Sequence, residues 1–412
     1  MKLALSILVG LVVGFLAVEA MYRVYLSVEP PAGTALAEGP RFGVLDASRW
    51  EYDSELGYVY PPDRAIHVTN LKDGRVSDCT LQREINSRGN IGPITGDYQS
   101  AAFKILLFGD SFPAFIVDGV TFPALLQRRL TAALGKPAHV VNFGRDGTGI
   151  LQMMDLAAAT VPEWQPDLVL FTFISDDLDR ARIWRTVAEK SGFRRILVTD
   201  RPDPDPPLSR AQDITLVEPR ATADWCRTAL EAGGEDPLAA ELERRFDQIA
   251  EQAARREFDL LSIDHSFVIA LLLHQDPFRQ ILTPQPWTVP RYDATAYDQD
   301  PRFARDFAAL KASGIPFAFI HLPIAPELPA GYQISPRQAA LWSDLRTLAP
   351  DRVIELKPVI GNLPDPLRMS ITPTNHHPSR FGMEVYARAI ETALADAGLL
   401  PDAAASPPGL SQ

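Results

Sequence analysis

Between about Ala102 and Ala397 the chain alternates short, unbroken apolar runs with segments of helical spacing, and this alternation restricts the fold more than any other feature. The apolar runs are Phe103–Phe108, closed by Gly109, then His139–Asn142, Asp167–Phe173, Ile315–Leu322 and Arg352–Leu356. Between and after them lie Thr121–Leu134, with Phe122, Leu125, Leu126, Ala133 and Leu134 on one face, Ile150–Ala159, a segment marked by Phe303, Phe307 and Leu310, one ending at Asp344–Leu348, and Arg380–Ala397. Apolar runs without polar alternation mark strands buried on both faces. Helical connections between such strands make the pairing parallel, with right-handed crossovers. The prediction is an α/β fold, a three-layer α/β/α sandwich on a parallel five-stranded sheet.

One connection breaks the rhythm. A crossover needs about a dozen residues, and the stretch over about 179–302 is far longer, so it is predicted to be a large, mostly helical insertion. Leu238, Leu242, Phe246, Ile249 and Ala253 form one apolar face. Phe267–Leu273 is a second apolar stretch, with Trp287 and Tyr292 beyond it, and Arg201–Pro219 reads as a Pro/Asp-rich loop. A lid over the strand ends and a structural cap both fit this pattern.

The N-terminus sets the compartment. Leu3–Val18 is uncharged and strongly apolar behind Lys2, and as a helix it rises about 24 Å against a hydrocarbon core of about 30 Å. Residues 1–26 read as an uncleaved transmembrane anchor, with Val18-Glu19-Ala20 as the cleavage site of the alternative, a signal peptide. Lys2 stays in the cytoplasm in either case, which makes the remainder extracytoplasmic. Residues 27–101 are expected to be a tether and approach segment, 102–400 the catalytic-type domain, and 401–412 a disordered tail. Among 412 residues, 46% are hydrophobic, enough for a sizeable core. Forty basic against 52 acidic residues leave a net charge of −12, which excludes a phosphate-binding surface and hence nucleic acid as a partner. Cys79 and Cys226 either form one bridge in an oxidising compartment or remain two buried thiols. No His pair has metal-ligand spacing, so neither a metal nor a cofactor is predicted.

In a parallel sheet the chemistry gathers at the carboxyl ends of the strands. Gly109-Asp110-Ser111 follows the first run, Asn142-Phe-Gly144-Arg-Asp-Gly147-Thr-Gly149 the second, and Ser175-Asp176-Asp177 the third. Asn375-His376-His377-Pro378 precedes the last helix. Each of these taken alone is an ordinary loop or helix cap. The order of the four is similar to that of the SGNH hydrolases, also called GDSL esterases or lipases. Upstream, Glu55–Pro61 and Ile85–Gly89 resemble the approach segment of membrane-anchored members. The resemblance implies a flavodoxin-like sheet, Ser111 as nucleophile, His377 as base, and an oxyanion met by the N–H groups of Ser111 and Gly147 and by the side chain at position 176.

A serine hydroxyl needs a neutral imidazole to take its proton, and the start of the last helix disfavours a second proton on His377. His376 is the rival base. Two positions depart from the family. Asp176 stands where the family has an Asn donor, and it can donate only if burial keeps it protonated. Asn375 and Thr374 stand where an Asp is expected, which leaves Asn375 as an orienting acceptor, Asp365 as an acid from the preceding loop, or a Ser–His dyad. The cluster Asp179-Arg180-Ala-Arg182-Ile-Trp184-Arg185 meets an anionic or sugar substrate or simply opens a solvated helix. The resulting expectation is a membrane-anchored serine esterase or O-acyltransferase acting on a small ester, acetyl foremost, of an envelope glycan. The alternative is a glycan-binding or assembly protein with a degenerate site.

Overall fold

The computed structural model describes residues 14, 19–21, 41–45, 50–92, 98–190, 193–204, 211–216, 218, 220–245, 248, 290–371 and 376–401. Most of the predicted anchor, the tether up to residue 40, Phe246, Phe267–Leu273, Trp287, Asn375 and the tail past Pro401 lie outside them. Among the described residues no helix is long and apolar enough to cross a membrane.

The chain divides into two compact units. One comprises Met1–Leu45, Val68–Cys79 and Thr215–Thr288. It contains β1 (Arg41–Leu45), α4 (Ala223–Glu231) and a helix over 237–245. Leu238 and Leu242 of the expected apolar face are buried in that helix. Cys79 and Cys226 are disulfide-bonded, which decides between the two options that the sequence left open.

The other unit comprises Asp46–His67, Thr80–Ile214 and Val289–Gln412. Its centre is the five-stranded parallel sheet of β6 (Phe103–Gly109), β7 (Ala138–Gly144), β8 (Leu168–Phe173), β12 (Phe317–His321) and β13 (Val353–Glu355). The spatial order is β13-β12-β8-β6-β7, the flavodoxin-like order, in which the first strand lies between the second and the third. Period-two alternation sends Ile105, Leu107, Leu168, Leu170, Ala318 and Ile320 to one face, against α2 (Phe122–Leu134) and α8 (Arg380–Asp396). Leu106, Phe108, Val169, Phe171 and Phe319 go to the other, against α3 (Ile150–Trp164), α5 (Pro301–Ala312) and α6 (Pro336–Leu348).

On that second face, register places Phe143, Phe108, Phe171 and Phe319 side by side on four neighbouring strands. Their rings stack at centroid separations of 5.1, 5.5 and 4.7 Å. Each such pair adds about 0.5–1.5 kcal/mol beyond its buried area. The ladder makes the sheet a rigid base for the loops at its carboxyl edge.

The long connection carries strands as well as α4 and the helix over 237–245. Its described part carries an antiparallel sheet of β9 (Trp184–Lys190), β10 (Phe193–Thr199) and β11 (Ala211–Leu216), in the order β11-β10-β9. β11 falls inside the stretch read as a loop, because Pro and Asp before it outweighed the short Ile214-Thr215-Leu216 run. Tyr292, expected to cover the sheet or the cleft, stacks on Tyr297. A small hairpin, β2 (Glu51–Asp53) with β3 (Gly57–Val59), completes this unit's N-terminal part.

Candidate active site

β6 ends in Gly109, where an added Cβ would lie 2.5 Å from Thr172 Oγ1 and 2.6 Å from Pro113 Cγ. Only glycine lets the chain turn this closely beside β8. Asp110 then caps the one-turn α1 (Ser111–Ala114), accepting the Phe112 N–H at 2.8 Å. Asn142, at the end of β7, ties down the turn from the other side: its Nδ2 donates to Pro113 O at 2.6 Å and its Oδ1 accepts the Gly144 N–H at 3.0 Å. Ser111 is thereby held half-buried at the carboxyl edge of the first strand.

The histidine reaches the same point from a distant loop. A 3₁₀ turn, Pro366–Met369, is laced to the segment before α8 by Ser379 N–H donating to Met369 O and Ile371 N–H donating to His377 O, at 2.8 and 2.9 Å. The His377 ring stacks on Phe115, with centroids 4.7 Å apart, and leans on Phe112. His377 Nε2 and Ser111 Oγ lie 2.8 Å apart across 266 positions of sequence. Ser111 and His377 thus meet at the carboxyl edge of the parallel sheet.

The fold is similar to that of solved hydrolases, at low scores. A lipase/acylhydrolase from Enterococcus faecalis is 14% identical, with a TM-score of 0.33 over 73% of this chain and 97% of that one. An alpha/beta hydrolase enzyme from the metagenome of Lake Arreo, Spain, is 13% identical, with a TM-score of 0.34 over 74% and 100%. An acetyl-xylooligosaccharide esterase from Geobacillus is 13% identical, with a TM-score of 0.33 over 71% and 94%. No protein-family model matches the chain, and no curated protein matches it.

The loop after β7 closes onto the Gly109-Asp110-Ser111 turn. Arg145 N–H and Thr148 Oγ1 both donate to Gly109 O, at 2.9 and 3.2 Å. Between them Gly147 has φ +73°, a left-handed conformation that costs glycine nothing. The loop carrying the expected oxyanion N–H is therefore folded against the strand that delivers Ser111.

Two expected side chains are placed otherwise. Asp176, on the 3₁₀ turn Ser175–Asp179, is 56% exposed and turned to Arg291 at 3.9 Å and Gln338 at 3.4 Å. The burial that the oxyanion role requires of this side chain is absent. Asp365 is exposed and caps the 3₁₀ turn, accepting the Leu367 N–H at 3.2 Å. It thereby steadies the 3₁₀ turn that is laced to the His377 segment. Asn375 lies outside the described residues. His376 has a buried Nδ1 without a hydrogen-bond partner among the described residues, and it is His377 that meets Ser111.

The arginines past block three are turned inward. Arg182 pairs with Asp155 at 2.6 Å and with Asp300, and the Arg185 guanidinium lies over the rings of Trp50 and Tyr58. Neither is the substrate contact or the solvated helix start that the sequence suggested. Arg180 joins all three blocks, meeting Asp177, Asp110 Oδ2 at 3.5 Å and Thr148 O at 3.4 Å. Burial raises the Asp110 carboxyl, although Arg180 opposes the shift. Burial, and then the Asp110 charge, push Asp177 well above the usual carboxylate range.

The sign of the pH effect follows. Asp177 keeps its proton to higher pH in the fold than in the unfolded chain. Its contribution is therefore complete below about pH 4 and is lost as pH rises toward the folded value. Asp177→Asn removes that loss, so the urea midpoint of the wild type should fall relative to the variant as pH rises above about 4. A difference that stays constant with pH would contradict this account.

A second serine and histidine also meet at the sheet edge, Ser175 Oγ to His321 Nε2 at 3.0 Å. Glu327 approaches the same Nε2 at 3.4 Å. A triad uses opposite ring nitrogens for its serine and its acid, so this cluster holds β8 and β12 together without forming a relay. Among the described residues no group of three or more His, Cys, Asp or Glu side chains is placed to hold a metal ion.

Proposed function

We propose that this chain is an acyl ester hydrolase or acyl transferase working through an acyl-Ser111 intermediate. The observation that carries the reading is the 2.8 Å approach of His377 Nε2 to Ser111 Oγ at the carboxyl edge of a parallel sheet. His377 takes the hydroxyl proton as Ser111 attacks the ester carbonyl. It returns that proton to the leaving alcohol and then activates the water or sugar hydroxyl that releases the acyl group. The N–H groups of Ser111 and Gly147 meet the tetrahedral oxyanion. Asp176 faces Arg291 and Gln338, so backbone donors carry this role in place of the family's Asn.

The proposed substrate is a small acyl ester, acetyl foremost, on a carbohydrate. The proposed location is the extracytoplasmic side of a membrane, with the Leu3–Val18 run as anchor. The Cys79–Cys226 bridge supports this location, because disulfides persist in oxidising compartments and are rare in the cytosol.

The test is to give the purified full-length chain a chromogenic acetyl ester and a serine-directed fluorophosphonate, beside Ser111→Ala. Labelling at Ser111 and a loss of turnover of about 10⁴-fold or more in the variant are expected. A wild type that takes no label, or a variant labelled equally, would favour the glycan-binding reading.

A further inference from the structure

The two peptides that meet at Asp146 are held from outside the catalytic blocks, the one joining it to Gly147 by Tyr58 and the one joining it to Arg145 by Tyr60. Tyr58 Oη donates to Asp146 O, and Tyr60 Oη accepts the Asp146 N–H at 3.2 Å. Both tyrosines are buried, Tyr58 completely. We infer that Tyr58 and Tyr60 are positioning residues for the oxyanion loop, and that Tyr58, by gripping the Asp146 carbonyl, aims the Gly147 N–H toward the charge that develops beside Ser111. The inference rests on the acyl-serine reading above and adds to it the group that orients its oxyanion donor.

The physical case has three parts. A trans peptide is planar, with C=O and N–H pointing in opposite directions. Fixing the oxygen of residue 146 therefore fixes the N–H of residue 147. Gly147 lacks the side-chain sterics that would restrict its own φ and ψ, so the direction of that N–H needs an external restraint. A hydrogen bond received by the carbonyl also polarises the amide and strengthens the N–H as a donor.

The grip is itself rigid. The Tyr58 ring is met edge-on by Trp50 at 6.2 Å and by Tyr60 at 6.5 Å, with the Arg185 guanidinium 4.6 Å from its centroid. Burial pushes the phenol above its ordinary range, so Tyr58 remains a donor. The β2–β3 hairpin that carries it is anchored by Gln152 Nε2 to Leu56 O at 2.8 Å, Trp184 Nε1 to Ser54 O at 3.0 Å and Arg302 to Glu55 O at 2.7 Å. Arg145 Nη1 returns the contact, donating to Tyr58 O at 2.9 Å. The loop is thus held between Gly109 on the nucleophile strand and the two phenols on the hairpin.

Tyr58→Phe deletes one hydroxyl and keeps the ring. Loss of a whole oxyanion donor costs about 10²- to 10³-fold, and misaiming one should lower kcat by about 10- to 100-fold with KM within about twofold. The full-length wild type, Tyr58→Phe and Tyr60→Phe are compared with the acetyl ester, alongside thermal melts and the amide proton shift of Gly147 in glycine-labelled protein. A kcat loss in Tyr58→Phe with an unchanged KM and a displaced Gly147 signal is the expected result. An unchanged kcat in an active protein, or a loss that appears only with a lowered melting temperature and an unmoved Gly147 signal, overturns the inference. If the wild type is inert and unlabelled, the acyl-serine reading fails instead, and a Gly147 signal unmoved in Tyr58→Phe then overturns the grip as well.

Discussion

His377→Gln should lower kcat for an acetyl ester by about 10⁴-fold or more, with KM changed by no more than about threefold. Glutamine keeps a polar group near Ser111 but cannot take its proton, and an unassisted hydroxyl is a poor nucleophile at neutral pH. Because the imidazole acts only as the proton moves, its loss falls on the transition state and leaves ground-state binding nearly intact. The ring is held by its stack on Phe115, and the backbone lacing of the loop to the 3₁₀ turn does not involve the imidazole, so the variant should fold. Steady-state kinetics beside His376→Gln checks the assignment. If the His376 variant is the dead one and His377→Gln keeps more than a tenth of wild-type kcat, the base has been misassigned.

The second large effect is on stability. Replacing both Cys79 and Cys226 by alanine should cost about 3–5 kcal/mol, because the bridge closes a long loop and so restricts the unfolded chain strongly. The two cysteines lie 147 positions apart. Cys226 is fully buried in α4, so alanine there also loses some packing. Ser111 and His377 belong to the other compact unit, and kcat per folded molecule should remain within about twofold of wild type. Urea melts without reductant measure the stability cost. A loss below about 1 kcal/mol would mean that the unfolded chain is already restricted near these residues.

The parts of the molecule that could be read in advance are those written in local pattern. Phe103–Phe108 and Asp167–Phe173 are apolar except at Lys104, Asp167 and Thr172, and both are central strands. Gly109-Asp110-Ser111 was legible because a tight turn beside another strand demands glycine, and the spacing Asn142, Gly144, Gly147 because the loop must lie close to that turn. The β11 strand was missed because its apolar signal is three residues long and follows a Pro-rich stretch. The partners of Asp176 are not legible for a similar reason: the direction of a side chain on a 3₁₀ turn depends on what packs around it, here Arg291 and Gln338.

Tyr58 and Tyr60 carried a faint signal, two phenols at i and i+2 and so on one side of an extended segment. Nothing local indicated that they would close on Asp146, 88 and 86 positions away. Arg180, Arg182 and Arg185 were misread in the same way, since a charged residue in a sequence looks solvated until its partners are known.

Burial period, turn chemistry and motif order are properties of neighbouring residues, because they follow from backbone geometry within a few positions, and the amino-acid sequence determined these by itself. The identity of the group that meets each polar atom depends on strands and loops brought together across a hundred or more residues. Only the tertiary structure decided that His377 faces Ser111, that Cys79 bonds Cys226, and that two tyrosines from an N-terminal hairpin hold the loop beside the nucleophile.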